Sequence, residues 1–575
     1  MRLIILLTVL ASSYLSATSK GGTPLTYDPM NSAYNALCDG ATSDTQAFAN
    51  MIRAIAASSG TVKMPAGKQC KVDTLTIPAN VAVDYGEGGG FYISTGETLT
   101  ILGPQIAPSQ QIFSNALASQ GAVSFAGNTS ALIVRPEWWQ DNTSPGVTDM
   151  TAAINAAIQA ANPGSTVALN NSYRLSGAGP DLVRLNKNVN LIGSGANGTF
   201  LNIAATVGPS TDVIHISIPG EARFLTINGI SIVPISGNPG RYGIHLDISQ
   251  PAQRLANLVI SDCHIEQLGR EAIHLSNPIP NMDGFFVSQI EQNFLVGGIS
   301  MQNAGDTITI RDNTITGAGI GIDWSAVAGA NKSIFAGNNI TSSGGAIRIQ
   351  SGTQISITDN NIEQVFNYTG SSNTMVDLAG NSNSHIINTG IKNNTFNALG
   401  KVTNLIRVDY AENTVIEDNN LQKGMGASLN ITSNALSTDV RSQRWGTPEI
   451  APSVVDNGIG TKGVMKAPNL TPGWETREAE AAAVKYWKDS ANQVHFRGRI
   501  FTALAPARLS DIVWTLPSGF RPAANTYLGI TIINASGEAE AGYLEITQGG
   551  TLTLRKHRLA PNESIIMDGV SFPVP

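Results

Sequence analysis

One four-residue pattern occurs three times in the chain, as Ile214-His215-Ile216-Ser217, as Ile244-His245-Leu246-Asp247 and as Ile273-His274-Leu275-Ser276. Successive copies begin 30 and 29 residues apart. Each copy alternates apolar with polar residues, which is typical of a half-buried β-strand. Strands that recur at a nearly fixed interval indicate a solenoid, in which each repeat forms one coil stacked on the last. We therefore expect the three histidines to form one outward-facing column.

The pattern continues toward the C-terminus, at residues 299–302, 320–323, 347–350, 376–379 and 406–409. Its first and third positions are predicted to point inward, whereas its second and fourth positions point outward. The second positions form a predicted column of His215, His245, His274, Ser300, Gly321, Arg348, Asp377 and Arg407. The fourth positions form a predicted column of Ser217, Asp247, Ser276, Gln302, Asp323, Gln350, Ala379 and Asp409. The sequence thus predicts a polar face with charges of both signs.

A second repeated feature is an asparagine that precedes an apolar residue by two positions. It is found at Asn313, Asn338, Asn360, Asn394 and Asn419. Gln292 and Cys263 are expected to take the same position in earlier coils. Stacked asparagine side chains can bond one another and the turn backbone along a solenoid. This column resembles the asparagine ladder of pectate-lyase-type β-helices, and we assign it a structural role only.

Two N-terminal segments, at residues 39–67 and 146–169, share one order of features. In each, a Ser/Thr/Asp cluster that can cap a short amphipathic helix is followed by a short β run. Such a helix suits the open end of a solenoid, which must be covered. Together with Val62-Lys63-Met64-Pro65-Ala66-Gly67 and Pro136-Glu137-Trp138-Trp139, this order resembles the opening of the pectate-lyase superfamily. The resemblance implies an all-β chain, a right-handed parallel β-helix with short capping helices.

The last hundred residues have a different pattern of apolar and polar residues, with short alternating runs that predict a small β-sandwich. The stretch Leu516-Pro517-Ser518-Gly519-Phe520-Arg521-Pro522 resembles the C-terminal domain of phage tail spikes and tail fibres, which implies trimerisation or glycan binding. We predict a signal peptide at 1–19, an N-terminal capping or adaptor unit at 20–140, the β-helix at 141–435, a linker at 436–470 and the β-sandwich at 471–575. The alternative for the N-terminus is a hydrophobic segment that packs in an assembly.

Composition excludes several classes of function. The net charge is −7 and no basic stripe is visible, so nucleic acid is not an expected partner. No run after the N-terminus is long enough to span a membrane. Cys38 and Cys70 can pair if the chain is exported, and Cys263 is expected to be buried. No Cys/His spacing resembles a zinc site, so we expect no metal and no cofactor.

Two carboxylates on the predicted face have a spacing suited to glycoside hydrolysis. Asp377 and Asp409 lie on neighbouring coils in different columns, which places their backbones about 8 Å apart. Inverting hydrolases hold their two carboxyl groups about 6.5–9.5 Å apart. Asp323 is a further catalytic candidate in a less favourable position. Trp324 is a candidate for stacking on a sugar ring, and the alternative for it is a place in the core.

A structural alternative exists for Asp377. Arg348 and Arg407 flank it in the predicted column, so Asp377 is equally well explained as a bridge between two arginines. Flanking cations lower the pKa of a carboxylate, which suits a base or a binding group better than an acid. Arg348 and Arg407 are themselves candidates for binding substrate.

The histidine column is a second candidate site. His215, His245 and His274 are predicted substrate contacts, and Asp247 is their predicted acid–base partner. Three histidines stacked about 4.8 Å apart are poorly arranged for tetrahedral metal coordination. The alternative is simple ring stacking of exposed histidines along the solenoid.

The resemblances and the polar face together favour a tail-spike-like depolymerase that hydrolyses a bacterial surface or capsular polysaccharide, as a homotrimer. Its expected location is extracellular, or a virion tail if a phage encodes it. One alternative is a non-catalytic glycan-binding adhesin or structural spike, because fold does not determine function. A second is a secreted polysaccharide lyase, with Arg348, Arg407 or Tyr410 as its base.

Overall fold

The computed structural model describes most of the chain. The described residues are 25–127, 133–237, 239–250, 252–277, 284–302, 305–317, 319–325, 330–342, 344–364, 374–398, 402–421, 427–445, 454–459, 461–466, 468, 470–472, 474–475, 483–489, 491–502, 512–555, 559–560 and 563–575. The predicted signal peptide at 1–19 lies outside them. The chain divides into two compact units, the first made of Met1–Asn142 and Ala152–Ser165, the second of Thr143–Thr151 and Thr166–Pro575.

The first unit is built from short parallel strands, one helix at Thr45–Ile55 and most of a second helix at Thr151–Ala160. One sheet contains Leu25–Tyr27, Gly60–Lys63, Val81–Asp84 and Gln105–Ile106. A second contains Phe113–Ser114, Gly90–Ile93, Gln69–Val72 and Asp39–Ser43. A third contains Ala122–Phe125, Thr98–Ile101 and Leu75–Ile77. A two-residue strand at Ile133–Val134 and a 3-10 turn at Pro136–Trp138 follow.

Both predicted N-terminal helices are present, at Thr45–Ile55 and Thr151–Ala160. The first buries Phe48, Met51 and Ile55 along one face, as its apolar spacing requires. Asp44 stands at its N-cap position, yet its carboxylate accepts hydrogen bonds from the Leu37 and Cys38 backbone rather than from the helix. Cys38 and Cys70 form a disulfide, which confirms that these two cysteines can pair.

Three long parallel sheets make up most of the second unit. Sheet 1 contains Thr166–Leu169, Asn190–Gly193, Thr226–Asn228, Val259–Ser261, Gln289–Glu291, Thr309–Arg311, Ile334–Ala336, Ser356–Thr358, Gly390–Lys392, Val415–Glu417 and Asp439–Arg441. Sheet 2 contains Ser172–Leu175, Phe200–Ile203, Ser231–Pro234, His264–Ile265, Phe294–Val296, Thr314–Gly317, Asn339–Ser342, Asn361–Gln364, Thr395–Ala398, Asn420–Leu421 and Arg444–Trp445. Sheet 3 contains Asp181–Leu185, Asp212–Ile216, Ile244–Asp247, Ile273–Ser276, Ile299–Gln302, Ile320–Ser325, Gly345–Ile349, Thr374–Ala379, Asn404–Asp409, Ala427–Ile431 and Val454–Asp456.

Each coil runs through sheet 1, sheet 2 and sheet 3 in turn before it returns to sheet 1 one coil higher. Two short sheets lie on the return path. One contains Glu221–Arg223, Arg254–Ala256, Phe285–Phe286, Gly305–Asp306 and Ala330–Asn331, and the other Gly352–Thr353, Ile386–Ile387 and Ala411–Glu412. The chain is therefore a right-handed parallel β-helix, as parallel crossover connections almost always are, and the predicted fold class is confirmed.

The asparagine ladder lies at the corner between sheets 1 and 2. Side-chain amides of successive coils bond one another at 2.9–3.0 Å through Asn293, Asn313, Asn338, Asn360, Asn394 and Asn419. These side chains are buried, and such bonds satisfy polar groups that burial would otherwise destabilise. Cys263 occupies the preceding position as predicted, and its backbone N–H donates to Asn293. The prediction for Gln292 was wrong by one residue, because Gln292 takes the positive-φ turn position before the ladder residue.

The C-terminal region is a β-sandwich with antiparallel strands. Its larger sheet contains Trp474–Glu475, Arg499–Thr502, Ser564–Ile566, Thr526–Ile533, Ala539–Ile546, Thr551–Leu554 and Ile512–Thr515. The smaller sheet contains Lys485–Lys488, Gln493–Arg497 and Ser571–Pro573. Phe496, Trp514 and Phe572 pack in the core. The predicted sandwich is thus confirmed.

The parallel strands of the β-helix continue through Asp439–Arg441 and Val454–Asp456, which fall within the range predicted as a linker. The division of the chain into five segments stays a prediction. Among the described residues, neither helix has the length and apolar character needed to cross a membrane.

Candidate functional site

Sheet 3 brings the predicted polar face together, with one change of register. Its pairings align Arg184, His215, His245, His274, Ser300, Asp323, Arg348, Asp377, Arg407 and Asn430 as the second-position column. The fifth copy of the pattern was predicted at 320–323, but Ser300 pairs with Asp323 rather than with Gly321. Ile320, Ile322 and Trp324 all alternate with smaller or polar residues, so two registers fit the local sequence equally well.

The change of register also corrects the role predicted for Trp324. This side chain points inward, is fully buried, and packs with its ring centroid 6.4 Å from that of Phe285 and 6.2 Å from that of Phe335. A sugar ring cannot reach it there. The prediction that Trp324 binds substrate was wrong, and the alternative, a place in the core, is correct.

We call the strands from Ile320–Ser325 to Asn404–Asp409 the arginine half of sheet 3. Its first pair is Asp323 with Arg348, whose Nε lies 2.8 Å from Asp323 Oδ1 and whose Nη2 lies 2.5 Å from Oδ2. Its second pair is Asp377 with Arg407, whose Nε lies 2.8 Å from Asp377 Oδ1. Cations and anions therefore alternate along this half of the column.

Arg407 also links the two carboxylates that the sequence singled out. Its Nη2 lies 3.8 Å from Asp409 Oδ2. Asp409 in turn accepts hydrogen bonds from Thr432 Oγ1 at 2.7 Å and from Asn434 Nδ2 at 3.1 Å. Ala379 pairs with Asp409 across the strands, so Asp377 and Asp409 are diagonal neighbours on one face, as predicted.

Burial decides the acidity of Asp377. Only 5% of the residue is exposed, and this burial raises the pKa of its carboxyl above the usual value despite the opposing effect of Arg407. The sequence predicted the opposite direction, because it counted the neighbouring cations and had no measure of burial. A raised pKa suits a carboxyl that donates a proton.

We call the strands from Asp181–Leu185 to Ile299–Gln302, with the turn that carries Arg241 and Tyr242, the histidine half. At its centre, His245 Nδ1 lies 2.6 Å from Asp212 Oδ2, and His245 Nε2 lies 3.0 Å from Ser276 Oγ. Arg241 holds the same carboxylate through Nε at 2.8 Å and Nη2 at 2.7 Å. Burial acts to raise the pKa of Asp212, but the hydrogen bonds from Arg241 and His245 outweigh it and lower the pKa to about 2.

The other two histidines have different partners. His215 Nδ1 lies 2.9 Å from Asp181 and its Nε2 3.6 Å from Asp247. Burial opposes its charge, but these two carboxylates raise the pKa of His215 above its usual value. His274 Nδ1 lies 2.6 Å from Ser300 Oγ. Burial and nearby positive charge lower the pKa of His274 to about 4.

Ring stacking runs through the histidine half. The rings of His215 and His245 are 5.1 Å apart and nearly parallel, and those of His245 and His274 are also 5.1 Å apart. Tyr242 stacks on His274 with ring centroids 4.2 Å apart. The predicted stacking is therefore present between His215 and His245, whereas the rings of His245 and His274 are tilted by 42° and both of these side chains are buried rather than exposed.

Besides Cys38 and Cys70, which form a disulfide beside Asp44, one cluster of the described residues has the composition of a metal site. Ligand atoms of Asp212, His215 and His245 lie within 4.8 Å of one another. However, Arg241 already binds both oxygens of Asp212, and a guanidinium at that distance repels a cation. These residues fit a charge-balanced hydrogen-bond network better than a metal centre.

Several residues of the histidine half were missed by the sequence reasoning. Asp181 and Asp212 pair in register and begin adjacent strands of sheet 3. Extending the four-residue pattern two positions toward the N-terminus reaches Asp212 and Tyr242. Asp181 lies in an earlier coil, into which the pattern was not followed, and Arg241 lies in the turn before Ile244–Asp247, where no periodic signal marks it. The predicted partner Asp247 contacts His215, whereas the carboxylate bonded to His245 is Asp212.

A cleft of about 440 Å³ lies beside Asp323, at the corner between sheets 2 and 3. Arg270 and Glu271 contribute to its lining, together with Gly317 and Gly319. Glu271 Oε2 is buried there, with no hydrogen-bond partner among the residues that the structure describes. The cleft thus offers both an acceptor and a cation next to the arginine half.

No protein-family model matches the chain, and no curated protein matches it. Among solved structures, it is similar to a DFA-IIIase from Arthrobacter chlorophenolicus A6 in complex with DFA-III, with 13% identity, a TM-score of 0.42, and coverage of 56% of this chain and 86% of that one. The Dettilon tailspike protein has 12% identity and a TM-score of 0.32, covering 95% and 93%. A Yersinia enterocolitica family 28 exopolygalacturonase has 11% identity and a TM-score of 0.32, covering 77% and 79%. At these values, what the chain does must be argued from its own residues.

Proposed function

We propose that the arginine half of sheet 3 binds a bacterial surface polysaccharide and hydrolyses it by inversion, with Asp377 as general acid and Asp409 as general base. The observation that carries this proposal is the difference between these two diagonal neighbours. Asp377 is buried and its pKa is raised, whereas the side chain of Asp409 is 19% exposed. An inverting hydrolase needs such a pair, one carboxyl that holds a proton and one that activates water.

The geometry supports the assignment of roles. Parallel strands about 4.8 Å apart, with residues two positions apart along them, give about 8 Å between the two backbones. A similar spacing between the two carboxyl groups would leave room for a water molecule on the far side of a sugar ring. Arg348, Arg407 and the cleft beside Asp323 supply charged and polar groups that contact hydroxyls or acidic groups of a bound chain.

A second function is favoured by a specific observation. Asp323 and Asp377 are each bound by an arginine, which is the arrangement expected of a surface that recognises a glycan without cleaving it. Under this proposal the protein is an adhesin or structural spike. A lyase remains a third proposal, with Arg348, Arg407 or Tyr410 as base.

The test is incubation of the full chain with a panel of bacterial surface and capsular polysaccharides. Hydrolysis releases reducing ends without the ultraviolet absorbance of unsaturated uronates, and proton NMR of the first product shows an inverted anomer. Asp377→Asn and Asp409→Asn are each expected to reduce the rate about 10²- to 10⁴-fold. Asp439→Asn is the matched control, because Asp439 is an arginine-bound aspartate on sheet 1.

Other results of this assay would support one of the alternative functions. Binding without any cleavage selects the adhesin, and unsaturated products select the lyase. Full activity in Asp377→Asn rejects the proposed acid, whatever the substrate is.

We also propose a homotrimer located outside the cell or on a virion tail, in keeping with the Cys38–Cys70 disulfide. Sedimentation at several concentrations checks the trimer.

A further inference from the structure

We propose that Ser276, His245 and Asp212 form a second catalytic centre in the histidine half, one that hydrolyses short acyl esters by nucleophilic attack of the serine. The three residues come from neighbouring strands of sheet 3, at Ile273–Ser276, Ile244–Asp247 and Asp212–Ile216. This activity is distinct from glycoside hydrolysis and does not depend on it.

The three side chains are connected by two hydrogen bonds, from the serine to the histidine and from the histidine to the aspartate. Ser276 Oγ lies 3.0 Å from His245 Nε2, and His245 Nδ1 lies 2.6 Å from Asp212 Oδ2. A nucleophile within hydrogen-bond reach of a base, which a third group orients, is the recurring arrangement of nucleophilic catalysis on unrelated folds. Residue types and distances therefore both agree with that role.

Charge on Asp212 determines which nitrogen of His245 carries the proton. The carboxylate accepts from Arg241 at 2.7 and 2.8 Å, and its pKa of about 2 keeps it ionised at neutral pH. An ionised carboxylate at 2.6 Å requires a proton on His245 Nδ1. Nε2 of the neutral ring is then the acceptor for the Ser276 hydroxyl, as a general base must be.

Among the residues that the structure describes, Ser276 Oγ has one competing acceptor. Its Oγ also lies 3.3 Å from the carbonyl oxygen of Leu246, farther than the 3.0 Å to His245. A hydroxyl has a single proton and rotates freely, so the closer and better acceptor takes it. Ser276 is 8% exposed and pairs in register with the exposed Gln302, so the proposal is restricted to esters of small acyl groups.

The adjacent coil contains a natural contrast. His274 Nδ1 lies 2.6 Å from Ser300 Oγ, so a second histidine–serine pair stands one coil away. The ring of His274 stacks on Tyr242, and its pKa is lowered to about 4, which makes it a weak base. Ser300 therefore serves as the matched control for Ser276.

The reaction balances with water as the only co-reactant. Ser276 Oγ attacks the ester carbonyl carbon while its proton passes to His245 Nε2. The bond to the alcohol oxygen then breaks, the alcohol leaves with that proton, and an acyl-serine remains. Water, deprotonated by His245, attacks the acyl-serine, and the carboxylic acid is released as Ser276 regains its proton. Asp212 and Arg241 act as positioning residues.

The experiment uses the full chain with p-nitrophenyl acetate and with a fluorophosphonate that reacts only with activated serines. We expect turnover, and covalent labelling that peptide mass spectrometry assigns to Ser276. Ser276→Ala and His245→Gln are expected to reduce turnover at least about 100-fold. Ser300→Ala is expected to retain wild-type turnover and labelling.

Asp212→Asn distinguishes positioning from a structural role. It is expected to lower turnover and to change the pH–rate profile, because the amide no longer selects the Nδ1 proton; a purely structural loss lowers the rate at all pH values alike. Circular dichroism verifies that each variant is folded. The proposal is overturned by a wild-type chain that neither turns over the ester nor is labelled, by labelling at Ser300, by full turnover in Ser276→Ala, or by loss of turnover on adding EDTA.

Discussion

The two halves of sheet 3 place carboxylates in the same scaffold and give them opposite acidities. Asp212 in the histidine half and Asp377 in the arginine half are both nearly inaccessible, with side chains 1% and 6% exposed. The pKa of Asp212 is nevertheless about 2, whereas that of Asp377 is raised. Burial alone therefore does not explain the difference.

The difference in pKa between Asp212 and Asp377 is explained by their hydrogen-bond partners. Asp212 accepts two bonds from Arg241 and one from His245, and these outweigh the desolvation of its charge. Asp377 accepts a bond from Arg407 Nε, which does not offset its desolvation. The fold thus supplies positions for acids, and the bonded partners decide in which direction the pKa of each one shifts.

The largest expected effect comes from removing the cation of the arginine half. Arg407→Leu removes the cation bonded to the buried Asp377 carboxyl, which must then be buried as an unpaired charge or take up a proton, so we expect a loss of up to about 4 kcal/mol in the free energy of unfolding at pH 7. Urea unfolding measures it. The control is Arg348→Leu, whose partner Asp323 has a side chain 21% exposed. That variant should lose about 2 kcal/mol; equal losses would contradict the role assigned to burial.

The histidine half should respond to acid in a way that the arginine half does not. His274 has a pKa of about 4 in the folded chain, against about 6.5 when unfolded. As pH falls from 6.5 to 4, the unfolded chain binds a proton that the folded chain does not, so stability is lost by about 3 kcal/mol. The raised pKa of His215 acts in the opposite direction, since its protonated form stabilises the fold.

His274→Gln isolates this effect. Unfolding free energies measured between pH 7 and pH 4 should be less pH-dependent in the variant than in the wild type. Identical pH dependence in both chains would show that the folded chain protonates His274 as readily as the unfolded one. Tyr242, Arg241, His245 and Arg270 surround or influence this ring and are unchanged in the comparison.

As pH falls, the two aspartates should change the free energy of unfolding in opposite directions, Asp377 above about pH 4 and Asp212 below it. Asp212 has a lowered pKa, so its contribution of about 2 kcal/mol is present above pH 4 and is lost as pH falls toward 2. Asp377 has a raised pKa, so its protonation adds stability as pH falls from that raised pKa toward about 4, below which the unfolded chain is protonated as well and the contribution is constant. Asp212→Asn should flatten the fall in stability below pH 4, and Asp377→Asn should remove a gain in stability above pH 4. If the two substitutions changed the pH dependence of the free energy of unfolding in the same direction, the difference between the histidine half and the arginine half would be contradicted.

The repeating features of this site were accessible from sequence. The histidine pattern predicted the strand register of His215, His245 and His274, and the asparagine spacing predicted the ladder. The register failed where Ile320, Ile322 and Trp324 alternate, because apolar residues at every second position fit two offsets and only the neighbouring strands choose between them. Asp212 was missed because the pattern was not extended to the start of its strand, and Arg241 was missed because its role arises from side chains of different coils meeting, which a one-dimensional pattern does not encode.

The asparagine ladder has a consequence for the length of the molecule. Its successive members are separated by 20, 25, 22, 34 and 25 residues, yet the bond between neighbours stays at 2.9–3.0 Å. Differences in chain length between coils are therefore accommodated by the loops between the sheets. The asparagine ladder itself can be lengthened or shortened only by whole coils. The distance between the histidine and arginine halves can thus change only in steps of about 4.8 Å. Insertion or deletion of whole coils between the histidine half and the arginine half would therefore change the distance between the two sites without changing the internal geometry of either one.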